Sequence, residues 1–296
     1  MFKKSSLLLL AAILVFSLTL AGCGNKEETS GEVKTVGEQV KYEIVGIDPG
    51  AGLMKLTKQA MEDYDLADWK LLESSGAAMT ASLKKAYDKK EPIIVTSWTP
   101  HWMFSSFDLK YLEDPKGTYG DAEFIHTLVR HGLKEDMPNA YQVLDQFNWE
   151  PNDMADVMVL IEGGTDPKDA AAQWVEENAE KVSTWTEGVE TANGEEITLI
   201  YVAWDSEIAS TNVIGKVLED LGFKVKLQQV EPGPMWAGIA SGSADATVAA
   251  WLPSTHADYY AEFEGQFEDL GPNLEGTKLG LVVPTYMDID SIEDLK

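Results

Sequence analysis

The 296-residue chain has a single cysteine, Cys23, so no disulfide can form within it, and stability must come from a packed core. Basic residues are scarce. There are 23 Lys and Arg against 50 Asp and Glu, a formal net charge of −27, and Arg130 is the only arginine. A surface this acidic excludes nucleic acid as a partner, because its phosphates would be repelled. Metal-site patterns are missing too. There is no His-Glu-x-x-His and no Cys/His zinc spacing. Asp288-Ile289-Asp290 lacks the glycine and terminal glutamate of a calcium loop. Enzyme signatures are as thin. Ser82-Leu83-Lys84-Lys85 fits Ser-x-x-Lys without its companion motifs. Asp205 and Glu207, at a predicted strand end beside Trp204, are expected to point in different directions and not to act as paired acids. Neither an enzyme nor a cofactor is indicated.

Long apolar runs are confined to the N-terminus. Lys3 and Lys4 precede an apolar stretch from Leu7 to Leu20, then come Ala21, Gly22 and Cys23. Positive, apolar and small residues in that order mark a secretory signal. The run is short for a membrane-spanning helix, which needs roughly 20 residues. Leu20-Ala21-Gly22-Cys23 resembles the processing site of bacterial lipoproteins, which implies cleavage before Cys23, lipidation of its thiol and a position on the outer face of the cytoplasmic membrane. Cleavage there leaves 296 − 22 = 274 residues and a charge of −27 − 2 = −29. That length suits two modest domains. Residues 23–40, rich in Glu, Lys, Gly, Ser and Thr, are expected to be a flexible tether.

From Tyr42 a programme of elements appears twice. Tyr42–Ile47 is a predicted strand, followed by a turn at Asp48-Pro49-Gly50-Ala51-Gly52, a helix over 53–64, a strand near Leu71, a helix over 77–87 and a strand over 92–96. Ile197–Val202 starts the same order, with a turn at 203–206, a helix over 208–221, a strand over 223–227, a helix over 235–240 and a strand over 244–250. Trp98-x-Pro100 and Trp251-x-Pro253 lie 251 − 98 = 153 residues apart, and Met79 and Met235 lie 235 − 79 = 156 apart. Two such units predict an α/β protein of two parallel-sheet lobes facing each other. Residues 121–188 between them read as mostly helical, with Phe124, Leu128 and His131 on one helix face and Arg130 in the same helix. Trp69, Trp149, Trp174, Trp185 and Trp236 are assigned to the core.

Trp98, Trp204 and Trp251 differ because each follows the end of a predicted parallel strand, where open α/β sheets bind ligands. A quaternary ammonium has diffuse positive charge and no N–H, so aromatic faces suit it better than hydrogen-bond acceptors do. Each desolvated contact contributes up to about 2 kcal/mol. A carboxylate on such a ligand cannot rely on an arginine clamp here. The Asp48–Leu53 turn offers free backbone N–H groups at a helix N-terminus, and His256 offers another donor.

Ile44–Leu53, Trp98-Thr-Pro-His-Trp102, Tyr201–Ser210 and Trp251-Leu-Pro-Ser-Thr-His256 closely resemble the OpuAC-type glycine betaine/proline betaine-binding lipoproteins of ABC importers, and the resemblance runs through essentially the whole chain. It implies a two-lobed periplasmic-binding-protein fold, type II-like, with the ligand cleft between the lobes. It implies glycine betaine or a similar quaternary-ammonium solute as ligand, an ABC transporter transmembrane subunit as partner, and attachment to the membrane through the Cys23 lipid. Trp98, Trp204 and Trp251 match the residues that form a prism around the ammonium. Gly52 and Leu53 match the amides that bind the carboxylate, and His256 matches its histidine donor. Leu53 is a conservative departure that leaves its N–H available. Ser291–Lys296 resembles a segment that relatives carry in mid-chain, which suggests a circular permutation. The expected boundaries are lobe 1 at 41–120, lobe 2 at 121–285 and a C-terminal hinge segment at 286–296.

Overall fold

The computed structural model describes residues 34–296. The signal segment, Cys23 and the first part of the expected tether lie outside the described residues. The rest of that tether is not extended. Val36–Val40 forms a short helix capped by Thr35, whose hydroxyl accepts the Glu38 N–H while the Glu38 carboxylate accepts the Thr35 N–H. Val40 is buried. This reciprocal cap and one apolar anchor suffice to dock the segment against the first lobe.

Nine strands follow: β1 (Glu43–Val45), β2 (Lys70–Leu72), β3 (Val95–Thr99), β4 (Leu109–Tyr111), β5 (Glu123–Arg130), β6 (Glu196–Tyr201), β7 (Lys224–Gln229), β8 (Ala246–Leu252) and β9 (Phe267–Pro284). Their order is β2-β1-β3-β9-β5-β8-β6-β7, with β4 also on β9. The predicted repeat is visible in the pairing. β1 runs parallel to β2 and β3, and β6 runs parallel to β7 and β8. Helices Gly52–Asp63 and Gly76–Asp88 connect the first set, and Asp205–Asp220 and Pro232–Ser241 the second. Each lobe thus has a parallel sheet whose near-continuous apolar strands, such as fully buried β8, are covered by helices.

Residues 121–188 are not helical throughout. Their first ten or so residues include β5, which lies antiparallel between β8 and β9. Ile125, Thr127 and Val129 are β-branched, alternate in sequence and are buried, whereas Phe124 is exposed. That period of two sets the structure, and the helical spacing of Phe124, Leu128 and His131 is incidental. Arg130 accordingly ends a strand, where it pairs with Asp136 and Asp245. From Leu133 to Trp185 the chain is helical, and three of these helices begin with proline. Trp149, Trp174 and Trp185 pack there as expected, with Trp174 stacked on Trp185 at 5.9 Å.

The lobe boundaries differ from expectation because one strand serves both sheets. The first part of β9, to Thr277, pairs with β5, while Lys278–Val282 pair with β3 and Val282–Pro284 with β4. The second lobe therefore gives up Lys278–Pro284 to the first. The last residues do not return across a hinge. Ser291 bridges Glu113, the Trp69 indole donates to the Leu295 carbonyl, and the Ile292–Leu295 turn packs on the Val36–Val40 helix. The chain's end lies beside its described beginning.

Candidate ligand-binding site

Local structure brings the three tryptophans to one place. Trp98 and Trp251 lie near the C-terminal ends of the equivalent strands β3 and β8, inside the strands and not in turns, and each precedes a cis X–Pro bond. Trp204 is the N-cap of the Asp205–Asp220 helix. All three are buried and line one cavity. Ile47, Ala51 and Leu53 contribute to the wall from the first lobe, and Glu207 and Thr255 from the second.

The indole N–H groups are all satisfied. Trp98 donates to the Ser206 hydroxyl (3.0 Å), Trp204 to Asp48 Oδ2 (2.8 Å) and Trp251 to Glu207 Oε1 (2.7 Å). The first two bonds cross between lobes. Tyr259 donates to the Gly50 carbonyl at 3.1 Å and Lys55 pairs with Asp258, so the lobes are closed on each other. The lysine pair is exposed and contributes little. With their N–H edges fixed in this way, the three rings line the cavity.

Beside the cavity wall are hydrogen-bond donors without acceptors. Ala51 N–H donates to Asp48 O, and the amides of Met54 and Lys55 donate to Ala51 O. Gly52 N–H and Leu53 N–H have no partner among the described residues, as expected in the first turn of a helix. Gly52 also lies close against the backbone of Thr255 in the second lobe. A Cβ there would lie 1.8 Å from the Thr255 carbonyl oxygen, so only glycine fits. The next residue is His256. Its Nδ1 accepts the Trp251 N–H at 3.0 Å, which leaves the ring proton on Nε2. That Nε2 is buried and unpartnered. Burial lowers the His256 pKa to about 3, so the imidazole is neutral. It lies 6.4 Å from the Trp204 ring, between centroids, and is not part of the cavity wall itself.

The structure therefore brings together Trp98, Trp204, Trp251, Leu53 and, beside them, Gly52 and His256. Sequence reasoning missed the residues that hold them. Glu123 at the start of β5 is buried and accepts from the N–H groups of Ser254 and Thr255 and from the Thr255 hydroxyl, fixing the loop that carries His256. Asp48, Ser206 and Glu207 anchor the indoles. Glu207 is the third residue of its helix, where a carboxylate is favoured, but nothing in its spacing shows that it is buried.

Two α/β lobes closed over an aromatic cavity define a solute-binding protein of the clamshell type. Comparison with known proteins specifies the class further. The family described as the substrate-binding domain of ABC-type glycine betaine transport systems matches residues 24–177 and 195–296. A glycine betaine/carnitine transport binding protein, GbuC, from Listeria monocytogenes is 55% identical over 299 residues, covering 100% of this chain and 99% of its own. A crystal structure of lactococcal OpuAC, closed and complexed with glycine betaine, is 45% identical over 52% of this chain and 63% of its own, with a TM-score of 0.49. A glycine betaine/L-proline-binding protein (ProX) from Borrelia burgdorferi is 39% identical over 50% of this chain and 57% of its own, with a TM-score of 0.48. This chain belongs to the family of substrate-binding domains of ABC-type glycine betaine transport systems. It is a transport component and not an enzyme.

Proposed function

We propose that this protein captures glycine betaine and delivers it to the transmembrane subunit of an ABC importer, with its ammonium among Trp98, Trp204 and Trp251 and its carboxylate on the N–H groups of Gly52 and Leu53 and on His256 Nε2. One observation carries this reading. A single cavity has three anchored indoles in its wall, and unpartnered donors at Gly52, Leu53 and His256 lie beside it. A zwitterion with a quaternary ammonium and a carboxylate satisfies both. The cation is desolvated onto ring faces, and the anion takes the orphan donors that would otherwise be costly to bury. Choline would satisfy only the first set. Proline betaine and carnitine share both groups, and carnitine appears in the name of the Listeria relative.

The lipid anchor belongs to the same proposal. The sequence around Cys23 supports acylation and retention on the outer face of the cytoplasmic membrane, and no described helix is long and apolar enough to cross a membrane. Titration calorimetry with glycine betaine, choline and a neutral sugar tests the ligand. Betaine should bind most tightly and the sugar not at all. Equal binding of choline would remove the role given to the donor end.

A further inference from the structure

Every indole N–H in the cavity wall ends on a carboxylate. Trp204 reaches Asp48 directly and Trp251 reaches Glu207 directly. Trp98 donates to Ser206, whose hydroxyl donates to Glu207 Oε2 at 2.7 Å. Glu207 thus ties a ring of the first lobe to a ring of the second, and it is almost fully buried. Its oxygens face Ser206 and Trp251, and no basic side chain pairs with it among the described residues. Both oxygens accept, from the Ser206 hydroxyl and the Trp251 indole, so the ionised carboxylate fits these bonds, whereas a neutral acid or glutamine would have to reverse the Ser206 bond.

We propose that Glu207 is the charge partner of the bound cation: a quaternary ammonium among the indoles is captured together with loss of the Glu207 proton to solvent, and the carboxylate so formed strengthens Trp251 and Trp98 as cation binders. The inference rests on the quaternary-ammonium reading of the cavity. The physical reasons are charge and polarisation. A buried carboxyl resists ionisation until an opposite charge is placed near it. An ionised acceptor at the indole N–H also pushes electron density into the ring, making its faces more attractive to a cation. Burial raises the Glu207 pKa to about 7, which places its proton loss where capture can drive it.

The other titratable groups around Glu207 do not replace it. Asp205 on the same helix opposes its ionisation. From the first lobe, Asp48 lies beyond Trp204, and His101 Nε2 lies 3.4 Å from Asp205 Oδ2. From the loop after β8, His256 faces the backbone of Trp251 and stays neutral. On the far half of the helix, Lys216 and Glu219, with Lys168 from the Pro167–Glu177 helix, line a separate groove. The quaternary ammonium itself has no proton to lose.

Calorimetric titration of the protein with glycine betaine from pH 5.5 to 8.5, in two buffers of different ionisation enthalpy, tests this directly. Affinity should rise across this range by about 8- to 25-fold, levelling off above neutrality, because a bound cation stabilises the ionised form by one to two pKa units. Below pH 7 the apparent enthalpy should differ between buffers, as proton release requires. Glu207→Gln should bind with a Kd that does not change with pH and with no buffer dependence, while His101→Gln should keep the parent's profile. A flat profile in the parent, or a pH dependence that survives in Glu207→Gln or disappears in His101→Gln, overturns the proposal. No betaine binding at any pH would overturn the ligand reading, and this inference with it.

Discussion

Replacing Gly52 by alanine probes closure with a single methyl group. The added Cβ would sit 1.8 Å from the Thr255 carbonyl oxygen and 2.6 Å from its carbon, both backbone atoms that cannot rotate away. Separation to even 3.0 Å requires the lobes to part there by 3.0 − 1.8 = 1.2 Å. The bonds from Trp204 to Asp48 and from Trp98 to Ser206, 2.8 and 3.0 Å long, would stretch to about 4 Å, beyond hydrogen-bond range. Losing one charged and one neutral hydrogen bond costs about 2–4 kcal/mol. The betaine Kd should therefore rise by about 30- to 1,000-fold. Folding should survive, since Gly52 opens a helix and alanine there should stabilise the ligand-free protein by about 0.4–1 kcal/mol. Gly50→Ala is the control. Its Cβ would meet Pro232 and Tyr259 at an ordinary 3.7 Å, so it should bind like the parent. Calorimetry gives the affinity, and small-angle scattering with saturating betaine should show a larger radius of gyration for Gly52→Ala than for the parent. A Gly52→Ala protein that binds within threefold of the parent and closes to the same radius would refute the reasoning.

Trp98→Ala, Trp204→Ala and Trp251→Ala should each weaken betaine binding by about tenfold or more, and phenylalanine should restore part of it, since each cation–π contact contributes up to about 2 kcal/mol. Trp174→Ala, in the helical cluster away from the cavity wall, should lower the melting temperature and leave affinity unchanged. His256→Ala should cost betaine about 10- to 100-fold and choline much less, as removal of a hydrogen bond to a charged group does. The His256 pKa of about 3 lies below its unfolded value near 6.5, so the unfolded chain binds more protons in between. Stability should fall as pH drops from about 6.5 towards 3, and His256→Gln should flatten that fall in a melting series. Cys23→Ala should abolish metabolic labelling with fatty acid, and normal labelling would exclude the anchor.

The repeated parallel units were legible because each strand–helix–strand step leaves a local pattern, and Trp98-x-Pro100 and Trp251-x-Pro253 marked equivalent strand ends. Gly52, Leu53 and His256 were named from short segments that match a family motif, and their place beside the cavity is what the structure adds. What escaped was non-local. β5 presents a helix-like spacing at Phe124, Leu128 and His131, and its pairing with β8 and β9 decides the matter. β9 belongs to both sheets, which no local pattern along Phe267–Pro284 reveals, so the second lobe was drawn too long. The acids behind the indoles were hidden for a related reason. Glu207 and Glu123 look like ordinary surface carboxylates until Trp251, Ser206, Ser254 and Thr255, distant in sequence or from another element, close over them.

The central claim is that one cavity recognises both ends of a trimethylated zwitterion. Calorimetric titration of the parent and of Trp98→Ala, Trp251→Ala and His256→Ala with glycine betaine and choline tests it most directly. The account predicts that the tryptophan variants lose affinity for both ligands, whereas His256→Ala loses affinity for betaine and barely changes choline. Betaine affinity indifferent to all three substitutions, or equal losses for the two ligands in His256→Ala, would contradict it.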